Sequence, residues 1–197
     1  PDGLNRVLVF APDPPSGAAA ARLIGIVVRA AGEPAPPVVN PTGLNAPQGV
    51  LVVNNFPLVV DSGNHRILRF DPVDLWPAET ESRVSPAAQA VIGQNSLTST
   101  TQARPNRGRP GIVGNGFSLP VQAAFAGGET FVVDAGNSRI LVFGDLSSGP
   151  QASESSPYEP RRVLGQVGFD FGAPNLVEGR EFWFNSASFA GAGIAID

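Results

Sequence analysis

In 197 residues the chain carries 23 Gly and 20 Pro, with short apolar runs and only 15% charged residues, a composition that argues against a helical protein and for an all-β, loop-rich one. It has no cysteine, which excludes disulfides and thiolate metal sites. All 13 basic residues are arginine and the net charge is -4, which argues against nucleic acid as a partner; no apolar run approaches the ~20 residues that a membrane-spanning helix needs.

Taken in order, residues 1–25 predict two strands, 6–10 and 22–24, joined by Pro12-Asp-Pro-Pro-Ser-Gly17 and an alanine run that the neighbouring Pro and Gly keep as loop. A proline-rich connector, Pro34-Ala-Pro-Pro37, then leads to Pro41-Thr-Gly43. Four strands follow at 50–53, 58–61, 66–70 and 89–92. Between the second and third lies Ser62-Gly-Asn-His65, whose residue types tolerate positive φ or bond their own backbone, so it predicts a hairpin turn. Asp61 is placed to cap the turn amides and Arg66 to pair with a nearby carboxylate. His65, the sole histidine, reads as an exposed turn residue. Trp76 in the following connector reads as a cover over the sheet edge.

The longest connector, 93–120, holds the only basic cluster, Arg104-Pro-Asn-Arg-Gly-Arg109. Arg104, Arg107 and Arg109 form either a solvated loop or a contact for an anion or acidic partner; no aromatic is interleaved with them to stack bases. A second set of four strands is predicted at 123–126, 131–134, 139–143 and 162–164, with a Ser-rich, acidic connector at 144–160. Phe169, Phe171, Phe182, Trp183 and Phe184 then crowd one connector, either packing on a neighbouring sheet or forming a contact patch that includes Trp183. A last strand is predicted at 194–196.

The second set copies the first. Leu58-Val-Val-Asp-Ser-Gly-Asn-His-Arg-Ile-Leu-Arg-Phe70 returns as Phe131-Val-Val-Asp-Ala-Gly-Asn-Ser-Arg-Ile-Leu-Val-Phe143, and Asn5-Arg-Val-Leu-Val-Phe10 aligns with the ends of both. This pattern closely resembles the NHL repeat. Ala90-Val-Ile-Gly-Gln94, Arg162-Val-Leu-Gly-Gln166 and Arg22-Leu-Ile-Gly25 resemble the Val-Leu-Gly-Gln outer-strand segment of bacterial NHL-type proteins, and Asn45-Ala-Pro47 and Ser118-Leu-Pro120 resemble the family's entry to the innermost strand. The resemblance implies an all-β, NHL-type β-propeller: a partial ring of two complete four-stranded blades plus parts of two flanking blades.

Over 1–197 it implies a single propeller fragment, with outer strands of a partial blade at 1–25, complete blades at 48–94 and 121–166, and the inner strand of a further blade at 188–197. The copies are spaced more widely than the ~40 to 45 residues of a typical blade, the surplus sitting in the connectors. Fewer than three blades cannot close a ring, so completion is expected from the remainder of a longer chain or from a protein partner.

Asp61, Gly63, Asn64 and Arg66 recur as Asp134, Gly136, Asn137 and Arg139, and one constellation repeated in every unit is a fold-making device. The predicted inner strands are apolar, with only Asn54, Asn55 and Asp197 at their ends, too little for a Ca²⁺ or Zn²⁺ site. Asp61 and Asn64 lack EF-hand spacing, and 111–116 neither follows a strand nor opens a helix as a phosphate loop must. No catalytic residue, metal ligand or cofactor is assigned. The expectation is a non-catalytic binding or structural propeller, a protein-interaction scaffold of a bacterial exported or cell-envelope protein with a protein or glycan partner. The alternative is part of a six-bladed propeller enzyme, a lyase or lactonase, whose site lies in other blades. Single-stranded RNA binding, as in some animal NHL proteins, is a third class.

Overall fold

The computed structural model describes residues 5–29, 31–34, 38–98, 103–149, 158–172, 182, 184 and 192–195. Among these residues ten strands form: β1 (Val7–Val9), β2 (Arg22–Ile24), β3 (Pro47–Val53), β4 (Phe56–Asp61), β5 (Arg66–Arg69), β6 (Ala90–Ile92), β7 (Pro120–Ala126), β8 (Glu129–Asp134), β9 (Arg139–Phe143) and β10 (Arg162–Leu164). They make three antiparallel sheets, β1-β2, β3-β4-β5-β6 and β7-β8-β9-β10, each a meander in chain order. The protein is all-β; among the described residues the helices are short 3-10 turns, and the sheets form an open stack, not a closed ring. Among the described residues no helix is long and apolar enough to cross a membrane.

The tight hairpins follow from their turn residues. Asn54 and Asn55 link β3 to β4 at φ 48° and 70°, and Gly127 and Gly128 link β7 to β8 at φ 58° and 77°. Positive φ at both central residues matches the right-handed twist of the flanking strands, and Asn and Gly reach it with least strain. The next connection is a 3-10 turn, Ser62–Asn64 or Ala135–Asn137, closed by left-handed His65 or Ser138. The inner strands begin earlier than the apolar runs suggest, at Pro47 and Pro120, because a bulge after each proline absorbs the misfit and lets pairing continue.

The second sheet is sandwiched, which explains why β4 and β5 are buried along almost their whole length instead of alternating. One face, through Val53, Leu58, Val60, Ile67 and Ile92, shares a core with Phe117, Val132, Leu141 and Phe143 of the third sheet region. The other, through Val59, Leu68, Phe70 and Val91, packs on Ile24, Leu44 and Trp76, with Val7 and Val9. Each such aliphatic side chain contributes about 1.5 to 3 kcal/mol on burial, so stacking stabilises what an isolated sheet could not.

The strand predicted at 194–196 lies partly outside the described residues. The described residues 192–195 are in no strand; Ala192 and Ile194 pack against Val121 and Val133, and the Ile194 amide donates to Gln122 Oε1 at 3.2 Å. A strand needs a ladder partner, and none of the described strands pairs there.

Candidate functional site

Asp61, at the end of β4, is fully buried. Its Oδ1 accepts the Asn45 backbone amide at 2.6 Å; its Oδ2 accepts Asn64 Nδ2 at 2.9 Å and Arg66 Nε at 2.7 Å. Arg66, its cross-strand neighbour, is also buried and donates from Nη2 to the carbonyls of Asn40 and Gly43, both at 3.0 Å. The third sheet repeats every bond. Asp134 accepts from the Ser118 amide (2.7 Å), Asn137 (2.8 Å) and Arg139 (2.7 Å), and Arg139 Nη2 donates to the carbonyls of Val113 and Gly116. Arg139 Nη1 also reaches the Phe169 carbonyl.

This corrects the capping role predicted for Asp61 and Asp134, since neither turn has a side-chain cap. The carboxylates are aimed instead at the segment that enters the inner strand, because the cross-strand arginine holds one oxygen and leaves the other facing that segment. Gly63 donates its amide to the Asn45 carbonyl at 2.9 Å and Gly136 to that of Ser118 at 2.7 Å. A Cβ on Gly63 would meet Asn45 at 2.7 Å, and one on Gly136 would meet Ser118 at 2.4 Å, so the approach requires glycine. Burial pushes the Arg66 pKa down and the Asp134 pKa up, and the partner charge opposes it in each case. Three donors converge on each carboxylate. The constellation is thus buried and bonded to its own chain.

A second set of bonds ties successive sheets together. His65, only 9% exposed, accepts the Leu119 backbone amide on Nδ1 at 3.0 Å. That overturns its reading as an exposed turn residue: the next sheet covers the turn. Asn5, its aligned counterpart, does the same with Oδ1 to the Ala46 amide at 2.8 Å. Burial lowers the His65 pKa, with Asp61 opposing. Within each sheet the outer-strand Gly-Gln segment fastens the same turn: Gln94 donates to the His65 carbonyl (3.1 Å) and Gln166 to that of Ser138 (2.9 Å). Gly93 and Gly165 lie at φ 89° and 82°, where a Cβ would meet Phe117 and Phe182 at 2.1 and 2.2 Å. The legible signal for these latches was the alignment of Asn5, His65 and Ser138, an acceptor-bearing side chain in each copy.

Of the proposed contact residues, Arg104 and Arg109 are exposed, and Arg107 Nε donates to Asn95 Oδ1 at 2.5 Å. Their loop is held by a reciprocal amide pair, Asn106 with Asn137, at 2.8 and 3.4 Å. Trp183 lies outside the described residues. The aromatic-rich connector divides: Phe169 packs on the core between the second and third sheets and Phe184 against the third, whereas Phe171 is exposed. Trp76 is buried, donates to the Asp71 carbonyl at 2.6 Å and lies under the Arg22 guanidinium.

One buried cation stands apart. Arg69, 6% exposed, faces the carbonyls of Leu146 and Ser147 (3.3 Å each) and the Tyr158 hydroxyl (3.0 Å), and its Nε has no hydrogen-bond partner. Burial raises the Tyr158 pKa, and Arg69 opposes this. Beside it, an open pocket of ≈ 260 Å³ is lined by Asp145, Leu146, Tyr158 and Arg161 among others. Among the described residues no three His, Asp or Glu gather closely enough to hold a metal ion. No model of a known protein family matches the chain, and no curated protein matches it in sequence.

Proposed function

We propose that the chain is part of an NHL-type β-propeller that works as a non-catalytic binding scaffold of a bacterial exported or envelope protein, meeting a protein or glycan through the loops between its sheets. The observation that carries this reading is the burial of the recurring Asp and Arg residues, which in both copies make the same bonds to their own chain. A catalytic group must be reached by substrate, and Asp61, Arg66, Asp134 and Arg139 are all fully buried. What remains accessible is the loop display, with Arg104 and Arg109 on a loop pinned by the Asn106–Asn137 pair. A rigid scaffold that presents loops suits recognition.

The test compares the chain with an Arg104→Ser/Arg109→Ser variant, each labelled and presented to a glycan array and to cross-linked bacterial envelope protein. Retention by the parent and its loss in the variant supports the reading. Turnover of a sugar lactone or of a uronate polysaccharide by the parent overturns it in favour of a lactonase or lyase. Tight, salt-sensitive capture of single-stranded RNA overturns it too.

A further inference from the structure

The repeat offset that carries Asp61 onto Asp134 also carries Trp76 onto Gly149 and Arg69 onto Val142. Both pairs break the repeat. In the second sheet the Trp76 indole is buried in the core beside Phe70 and Ala88. In the third sheet Gly149 stands at that offset, and a pocket of ≈ 260 Å³ stays open beside Tyr158, the sole tyrosine of the chain. Side chains that recur are those the fold requires, so these departures call for a reason outside the fold.

Arg69 reaches from β5 into the connector of the next sheet, where it donates to the Tyr158 hydroxyl at 3.0 Å and to the carbonyls of Leu146 and Ser147. Burying an arginine with no carboxylate partner among the described residues and with Nε unsatisfied costs stability, and Val142 shows that the strand does not need it. What Arg69 does is hold the Tyr158 phenol in the pocket wall.

The rest of the wall is polar. Arg161 is exposed and its guanidinium makes no hydrogen bond or ion pair among the described residues; it lies over Gly144, where a Cβ would meet Nη2 at 2.6 Å. Asp145 and Glu159 line the same pocket, steadied by Asn54 at 2.7 Å and Asn115 at 2.6 Å. Two carboxylates repel a phosphate dianion, whereas the Arg161 cation suits a single carboxylate. Their remaining lone pairs accept hydroxyls, and Tyr158 offers an aromatic wall to a sugar ring.

We propose that this pocket is a subsite for one uronate unit of an acidic glycan. Arg161 takes the sugar carboxylate, Glu159 and Asp145 accept its hydroxyls, and Tyr158 packs on the ring. Arg69 is a positioning residue that acts through Tyr158. The inference rests on the glycan partner of the scaffold reading and places it on a connector other than the Arg104 and Arg109 loop.

The experiment follows the ring signals of isotope-labelled tyrosine, all of them from Tyr158, while the full chain is titrated with methyl β-glucuronide, methyl β-glucoside or acetate. The glucuronide has no 4-linked leaving group for a lyase to expel, so binding is read without turnover. It is expected to shift the signals saturably with a Kd of ~1 mM, at least ~5-fold below that of the glucoside, and acetate at equal concentration should not. Arg161→Gln should weaken binding about tenfold. Arg69→Met should weaken it about threefold at a nearly unchanged unfolding midpoint, with Arg69→Lys recovering the loss.

No saturable shift, an equal response to the glucoside or to acetate, or undiminished binding by Arg161→Gln overturns the proposal; unchanged binding by Arg69→Met overturns the positioning role. If Arg161→Gln does not fold, Ser148→Trp, which fills the pocket from an exposed position, decides the point, and retained binding overturns the proposal. The Arg104→Ser/Arg109→Ser variant should bind the glucuronide as the parent does, and its failure to do so overturns the proposal by placing the sugar on the other loop. Failure of the pocket leaves the scaffold reading standing, since that is decided on the Arg104 and Arg109 loop.

Discussion

His65 Nδ1 accepts the backbone amide of Leu119 at 3.0 Å, so the imidazole of one sheet's turn caps the entry to the inner strand of the next. Asn5 and Ala46 repeat the contact one sheet earlier at 2.8 Å. The bond needs an unprotonated nitrogen, and burial lowers the His65 pKa from its ordinary 6.5. The unfolded chain therefore takes up the proton first. Stability is full above the unfolded value and declines as pH falls from about 6.5 toward the lower folded value. His65→Asn, which copies the Asn5 arrangement, keeps an acceptor without titrating. It should retain most of the stability at pH 8 and lose this acid-dependent component, as read from urea midpoints between pH 5 and 8.

Arg66 and Arg69 are both buried on β5; Arg66 pairs with Asp61, whereas Arg69 has no carboxylate partner among the described residues. Arg66→Met strands the Asp61 charge in the interior and is expected to cost about 3 to 5 kcal/mol. Arg69→Met removes an unpaired cation whose Nε is unsatisfied, at a position where the third sheet carries Val142, and should change stability by less than ~1 kcal/mol. Denaturant midpoints of the two variants check the contrast.

Gly93→Ala places a methyl 2.1 Å from the Phe117 ring at a φ of 89°. Steric overlap and backbone strain together should cost about 2 to 4 kcal/mol. In the equivalent contact of the first sheet, Gly25 faces Leu44. A Cβ on Gly25 would still meet Leu44 at 2.9 Å, so combining Gly93→Ala with Phe117→Leu should recover only part of the steric cost and leave the strain, which a double-mutant cycle measures.

Arg104→Ser and Arg109→Ser remove exposed side chains with no ion pair recorded among the described residues. Each should shift stability by less than ~0.5 kcal/mol. Loss of ligand retention without loss of the folded state, seen by circular dichroism on the same samples, would separate binding from folding.

Much of this architecture is legible in the residues themselves. Asn54-Asn55 and Gly127-Gly128 set tight turns, the valine-rich runs before Asp61 and Asp134 set strands, and Asp61 and Arg66 face each other because the turn between them fixes the register. These are short-range consequences of backbone sterics and side-chain alternation, decided within a few residues. Burial is different, because it depends on what another sheet brings from far along the chain. Val50 and Ala123 occupy the same place in the repeat, yet one is exposed and the other buried, since among the described residues a four-stranded sheet packs against Ala123 and a two-stranded one against the face of Val50. His65 reads locally as a solvated turn and becomes an acceptor between sheets only when Leu119 is carried to it. The strands and turns were thus written locally, while the fate of each face was decided by stacking, because removal from water requires a partner surface that no stretch of sequence supplies for itself.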